Sequence, residues 1–261
     1  MKWDVLFSEF IKTKLKTFFE FYELLKKVLK QVFSGPRREH EIKTAIVKFG
    51  LQILPIIVIS TAFTGLVITQ EIAWHLRESI HAISMIPGFT GQFVLRELGV
   101  VIPALLVVSN LGAALTSEIG TMKTTDQLDA LKLLKIDLVS FLVYPRFIAS
   151  IFSLVCLTMF SIFVTLLFAL VVASLQYNFS WLEYLNALRH FVGFKDVVCA
   201  FLKALVFGAV IPLISCVYGF NCKEGAQGVG TATTNSVVTN TLVVIGLDFV
   251  LTYVSTWILG A

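Results

Sequence analysis

The sequence predicts an all-α polytopic membrane protein with five transmembrane helices, an N-terminal interfacial amphipathic helix and a cytoplasmic helix between the second and third spans. Hydrophobic residues make up 57% of the 261 and charged residues only 15%, against roughly 25% charged in soluble domains. Several apolar runs exceed the ~20 residues that a helix needs to cross a hydrocarbon core, and no alternating pattern of about ten residues recurs, so the spans are helical. The whole chain, 1–261, reads as one domain.

Within residues 1–36, Ile11, Leu15, Phe18, Tyr22, Leu25, Leu29 and Val32 recur at helical spacing while Lys12, Lys16, Lys26, Lys27 and Lys30 take other faces. A basic amphipathic helix of this kind lies in the membrane interface. Ser34, Gly35 and Pro36 end it, and a charged elbow, Arg37–Lys48, leads into a transmembrane region over 49–259. Spans are expected at Phe49–Thr69, Gln92–Leu115, Val139–Leu175, Val197–Phe220 and Val237–Leu259. Ile80–Leu115 is too long for one upright crossing, and Pro87, Gly88, Thr90 and Gly91 interrupt its start, which suggests an interfacial or re-entrant segment.

Eleven of the 21 Lys and Arg precede Leu51. With the N-terminus inside, Lys123, Lys132, Lys135, Arg146 and Lys223 join them in the cytoplasm and only Arg77, Arg189 and Lys195 lie outside. The positive-inside rule then chooses N-terminus cytoplasmic and C-terminus periplasmic, and puts a helix over 116–138 in the cytoplasm. This asymmetry speaks to orientation and not to nucleic acid.

Three side-chain groups can carry function. In Thr116–Leu138, Ile119, Met122, Leu128, Leu131 and Leu134 give a broken apolar stripe, and Thr125, Asp126, Gln127 and Asp129 supply hydrogen-bonding groups; such a helix suits a groove on another protein or, more plainly, a solvated loop. Arg96, Glu97 and Lys203 are charges in or beside apolar runs, where exposure to lipid costs roughly 2.5–3.5 kcal/mol. They should face the protein interior or a wet cavity. Glu97 could pair with Arg96 or Lys203 and leave a net positive charge suited to a phosphate-bearing headgroup; an ion pair tying two helices together is the alternative, and both can hold. Gly65, Leu66, Thr69, Leu76 and Ile80 are small or apolar and could line a cavity beside those charges, or simply pack.

Other patterns argue against enzyme chemistry. Cys156, Cys199, Cys216 and Cys222 form no CxxC pair and are read as reduced and structural. His40, His75, His81 and His190 have no ligand spacing, so no metal is expected. Gly225–Gly230 resembles a phosphate loop, but Thr231 and Ala232 stand where Lys and Ser/Thr should follow. It is expected to be a flexible cytoplasmic turn, and no nucleotide site or catalytic triad emerges.

The motifs RELG at Arg96–Gly99, LGAAL at Leu111–Leu115, EIGTMKTTDQLDAL at Glu118–Leu131, YPRF at Tyr144–Phe147, the intramembrane Lys203 and GLDFVLT at Gly246–Thr252 together resemble the MlaE family of ABC lipid-transporter permeases. The chain departs from the family in three places. RELGVVIP moves a proline to Pro103, Asn110 replaces an arginine, and Leu138 follows Asp137 where a proline is common.

The resemblance implies a homodimeric permease of an MCE-type ABC transporter in the bacterial inner membrane, moving phospholipids or related lipids between that membrane and the outer envelope. Its implied partners are a second copy of itself, a cytosolic ABC ATPase dimer, a periplasmic MCE-domain ring and phospholipid. No cofactor is expected in this chain; ATP and Mg serve the ATPase. Coupling to the ATPase falls to Glu118, Gly120, Met122, Thr125, Asp126, Gln127, Leu128 and Leu131. The rival reading is an ion-coupled secondary transporter in which Glu97 and Lys203 titrate; a lipid-modifying enzyme lacks a nucleophile.

Overall fold

The computed structural model describes residues 17, 19–32, 39–79 and 83–259. Helix α1 covers 19–32, and the rest of the expected interfacial helix, residue 17 apart, lies outside the described residues. Then follow α2 (Glu39–Ser79), a short 3-10 turn (Ile83–Met85), α3 (Ile86–Phe93), α4 (Gly99–Val107), α5 (Ala113–Thr124), α6 (Gln127–Leu133), α7 (Tyr144–Tyr177), α8 (Trp181–Phe191), α9 (Phe194–Phe220) and α10 (Gly225–Leu259). No strand occurs among the described residues.

Five stretches are long and apolar enough to cross a membrane: Glu39–Glu78, Ile83–Thr124, Val139–Tyr177, Phe194–Phe220 and Gly225–Trp257. They contain the first four expected spans and, of the fifth, all but its last two residues, and most begin earlier or end later than expected, because helical hydrogen bonding continues past the apolar window into polar sequence. Gly225–Gly230 is the clearest change. It was expected to be a flexible turn, but it forms the first turns of α10, with Gly225 at φ +80°, a backbone conformation that glycine adopts without a Cβ clash.

The second span is continuous but irregular. Wide π-helical turns occupy Val94–Leu98 and Val108–Gly112, and a third, Val139–Val143, opens the way into α7. Each inserts a residue into the helical repeat and leaves carbonyls open to side-chain donors. Pro87 sits in the first turn of α3, where its missing N–H costs nothing.

The described chain divides into two compact units, each built from parts of several helices. Unit 1 comprises residues up to Ile46, Val108–Ser150 and Ala209–Thr241. Its interior contains a polar seam: the Thr116 hydroxyl lies 2.8 Å from Ser236 Oγ, and Asn240 Nδ2 donates to Ser215 Oγ at 3.0 Å. All four residues are fully buried, so these bonds join helices where no water competes. Val28 buries one side of α1, and Gln31 Nε2 donates to Ser140 Oγ at 2.9 Å. Phe19, Tyr22 and Leu29 point outward, and Lys26 lies 4.3 Å from the centre of the Tyr22 ring, the apolar and basic mixture of an interfacial helix.

Unit 2 comprises Val47–Val107, Ile151–Gly208 and Leu242–Ala261. It includes α8, an amphipathic helix that the hydropathy reading missed. Ser180 caps it: the Ser180 hydroxyl accepts from Glu183 N, and the Glu183 carboxylate accepts from Ser180 N at 2.8 Å. These bonds, the backbone one foremost, hold the Glu183 carboxyl below its ordinary range. Tyr184 is buried with Ala169 and Ala173 of α7, and its hydroxyl donates to Leu166 O at 3.3 Å. Burial pushes that phenol's pKa upward.

Candidate functional site

The wide turn at Val94–Leu98 presents Arg96 and Glu97 toward α9 and α10 within unit 2. Lys203 is only 3% exposed. Its ammonium donates to Arg96 O at 2.6 Å and Thr252 Oγ1 at 2.8 Å, and lies 2.7 Å from Asp248 Oδ1 and 3.4 Å from Glu97 Oε1. The Thr252 hydroxyl is also 2.9 Å from Glu97 Oε1. Arg96 turns to Asp196, with Nε 2.7 Å from Oδ1, while Asp196 Oδ2 accepts from Gly193 N at 2.9 Å.

Of the pairings weighed in the sequence, Lys203 with Glu97 forms, and Arg96 with Glu97 gives way to Arg96 with Asp196. The expected net positive charge is also absent. Two cations face three carboxylates, because Asp196 and Asp248 join the group. Lys203 is surrounded by oxygens and has no free donor to offer a phosphate. What remains accessible is the rim, where the side chains of Arg96 and Glu97 are each 33% exposed.

The residues expected to line a cavity separate. Gly65 and Thr69 are buried packing positions, with the Thr69 hydroxyl donating to Gly65 O at 2.7 Å. A Cβ on Gly65 would lie 2.3 Å from Thr165 O, so glycine is what lets α2 meet the α7 backbone. Leu76 packs with Ala73 and Ile86. Leu66 is half-buried, and Ile80 lies outside the described residues.

The loop between the second and third spans is two helices rather than one. The α5 helix ends at Thr124, and Asp126 takes a left-handed conformation at φ 58° that redirects the chain into α6. Glu118 on α5 meets Arg146 Nη2 at 2.7 Å, and Arg146 Nη1 donates to Leu142 O at 2.8 Å in the wide turn before α7. One guanidinium thus clasps both ends of the loop. Lys123 Nζ donates to Phe220 O at 2.7 Å, satisfying an end carbonyl of α9.

Thr125, Asp126 and Gln127 are exposed, Met122 and Leu131 are half-buried, and Gly120 is buried, its Cβ position 3.4 Å from Cys222 Sγ. Leu128 turns inward at 5% exposure and borders a groove of about 500 Å³ shared with Lys27, Lys123 and Phe220. The outward apolar residues are instead Leu133 and Leu134, 86% and 70% exposed.

A five-span helical chain with a buried charge network and a folded, surface-presented loop between spans two and three has the architecture of a membrane transport subunit. The Permease MlaE family matches residues 42–254, and the chain belongs to that family. A probable ABC transporter permease protein of Synechocystis sp. is 37% identical over 206 residues, covering 78% of this chain and 77% of the relative. A probable ABC transporter permease protein of Rickettsia felis is 34% identical over 203 residues, 78% of each chain. The intermembrane phospholipid transport system permease protein MlaE of Haemophilus influenzae is 32% identical over 204 residues, again 78% of each.

Asp196 escaped the sequence reading, and Asp248 and Thr252 entered it only as part of the GLDFVLT motif, with no role assigned. A signal for one existed: Asp248 is a carboxylate inside the last apolar run, and an intramembrane Lys203 needs such a partner.

Proposed function

We propose that this chain is the permease subunit of an ATP-driven ABC transporter that moves phospholipid between the inner membrane and the outer envelope. The observation that carries the reading is the loop clasped by Arg146 and Glu118, which holds Thr125, Asp126 and Gln127 at one end of the short helix α6 and the apolar pair Leu133 and Leu134 at the other, all outward. A surface of this kind suits a cytosolic ATPase, and through Arg146 any displacement of α5 and α6 is passed to the head of α7. The name of the Haemophilus influenzae relative, an intermembrane phospholipid transport system permease protein, supports phospholipid as cargo.

In this reading the N-terminus is cytoplasmic and the C-terminus periplasmic, as the distribution of Lys and Arg favours. ATP and Mg are consumed by the ATPase pair, and an MCE-domain ring receives or delivers lipid on the periplasmic side. A second copy completes the path. Support comes from α10, whose apolar window is only 11% buried and which leaves Leu242, Phe249 and Trp257 exposed, and from α2, which exposes Phe63 and Val67. Gly65, Thr69 and Leu76 shape the lipid cavity from behind by setting the packing of α2, with Leu66 nearer its wall. Arg96 and Glu97 at the rim of the network meet the headgroup, and Lys203 positions them.

The test is hydrolysis by the ATPase copurified with the full chain in phospholipid nanodiscs. Arg146→Gln should leave the subunits associated while cutting lipid-stimulated hydrolysis severalfold. Hydrolysis with unchanged lipid stimulation in Arg146→Gln would contradict the proposed coupling route.

A further inference from the structure

Unit 2 contains a second apolar feature that shares no residue with the Lys203 network. A trough of about 590 Å³, within the roughly 300–1,000 Å³ range of small-ligand sites, runs between α7 and α8, with Ile162 and Leu166 on one wall and Leu182 and Leu185 on the other. Its polar lining residues are Asn186 and Arg189, three apart on α8, and it contains no carboxylate. Residues three apart on a helix share a face.

The surroundings leave Arg189 available. It is exposed and makes no ion pair among the described residues. The carboxylate of α8, Glu183, is held back by the Ser180 cap, and Asp196 is bound to Arg96. With 11 residues α8 is too short to span, yet Trp181, Leu182 and Phe194 around it are 61%, 69% and 82% exposed. Such a surface belongs at the membrane interface, with aromatic rings at headgroup depth.

We propose that this trough is a lateral site for one anionic phospholipid, with an acyl chain between α7 and α8 and the phosphate held by Arg189 and Asn186. A guanidinium matches phosphate oxygens with paired donors, and the apolar walls accept the tail that accompanies them. The site needs only the membrane setting and does not depend on coupling to an ATPase.

The test uses the full chain in phosphatidylcholine nanodiscs containing a small fraction of phosphatidylglycerol with a photoreactive diazirine in its acyl chain. After illumination, labelled peptides are mapped. Labelling should concentrate on residues 182–197 and 162–166. Arg189→Gln should lower it about tenfold, the loss expected for one charge-assisted hydrogen bond, and diazirine phosphatidylcholine should label these peptides correspondingly less. Leu185→Trp, or Val197→Trp from the neighbouring helix, should fill the trough with the same effect, while labelling around the exposed Phe152 on α7 stays constant and shows that the variant has folded. Unchanged labelling in Arg189→Gln, or equal labelling by the two lipids, would overturn the proposal. A chain that labels here but stimulates no ATPase would defeat the transport reading and leave this site intact.

Discussion

Replacing Lys203 with Met tests the buried network directly. The methionine fills nearly the same volume but removes the positive charge that lies 2.7 Å from Asp248 and donates to Arg96 O and Thr252. Lys203 is 3% exposed and the Asp248 side chain only 14%, so the orphaned carboxylate has little water to turn to. Breaking such a pair costs roughly 3–5 kcal/mol. Taking the lower figure, the melting temperature should fall by roughly 6–12 °C. Glu97, a third exposed, can rehydrate, so most of the loss should come from Asp248. The double variant Lys203→Met with Asp248→Asn should therefore recover more than half of the drop. The assay is thermal unfolding of the purified chain in nanodiscs. A shift below about 2 °C for the single variant, or a double variant no more stable than the single one, would refute the reasoning.

Three more outcomes follow from the geometry. Leu133→Asp with Leu134→Asp should reduce ATPase copurification while leaving unfolding unchanged, whereas Leu128→Ala should lower stability by roughly 2–5 kcal/mol because that side chain is buried; the reverse pattern would show the docking face to be misplaced. Gly65→Ala puts a methyl 2.3 Å from Thr165 O and should destabilise by roughly 1–3 kcal/mol, and an unchanged melting temperature would return Gly65 to the lipid-lining class. The capping-box contribution of Glu183, whose folded-state pKa is lowered by Ser180, is complete above the unfolded value of about 4.3 and is lost as pH falls through the lower folded value. Hydrogen-exchange protection in the first turn of α8 should weaken over that acidic window, and weakening on the alkaline side instead would contradict the assignment.

The spans were legible in the sequence because bilayer thickness imposes a length that apolar runs display openly. Lys203 was legible for the same reason, since a charge in an apolar run advertises a function or a partner. Its role was not. Asp248 and Thr252 come from a helix about forty-five residues away in sequence, and only packing brings them together; with Asp248 on Lys203 and Asp196 on Arg96, the group that looked cationic carries one more acid than base. In the loop before α7, composition identified an amphipathic segment, but the left-handed turn at Asp126 rotates α6 so that Leu128 faces inward and Leu133 and Leu134 face out. A helical wheel drawn straight through Thr125 and Asp126 has the wrong phase beyond them. Helix α8 was overlooked because its 11 residues carry too little apolar length to register as a span, and its start is set by one local device, the Ser180 and Glu183 cap.

The central claim is ATP-driven movement of phospholipid through this chain. It is tested most directly by reconstituting the full chain with its ATPase in proteoliposomes and following fluorescent phospholipid transferred to or from a periplasmic acceptor. Transfer should require ATP and should fall severalfold in Arg146→Gln while the complex stays assembled. Transfer that proceeds without ATP under an imposed proton gradient, and that stops when the gradient is collapsed, would contradict the account and support an ion-coupled transporter in its place.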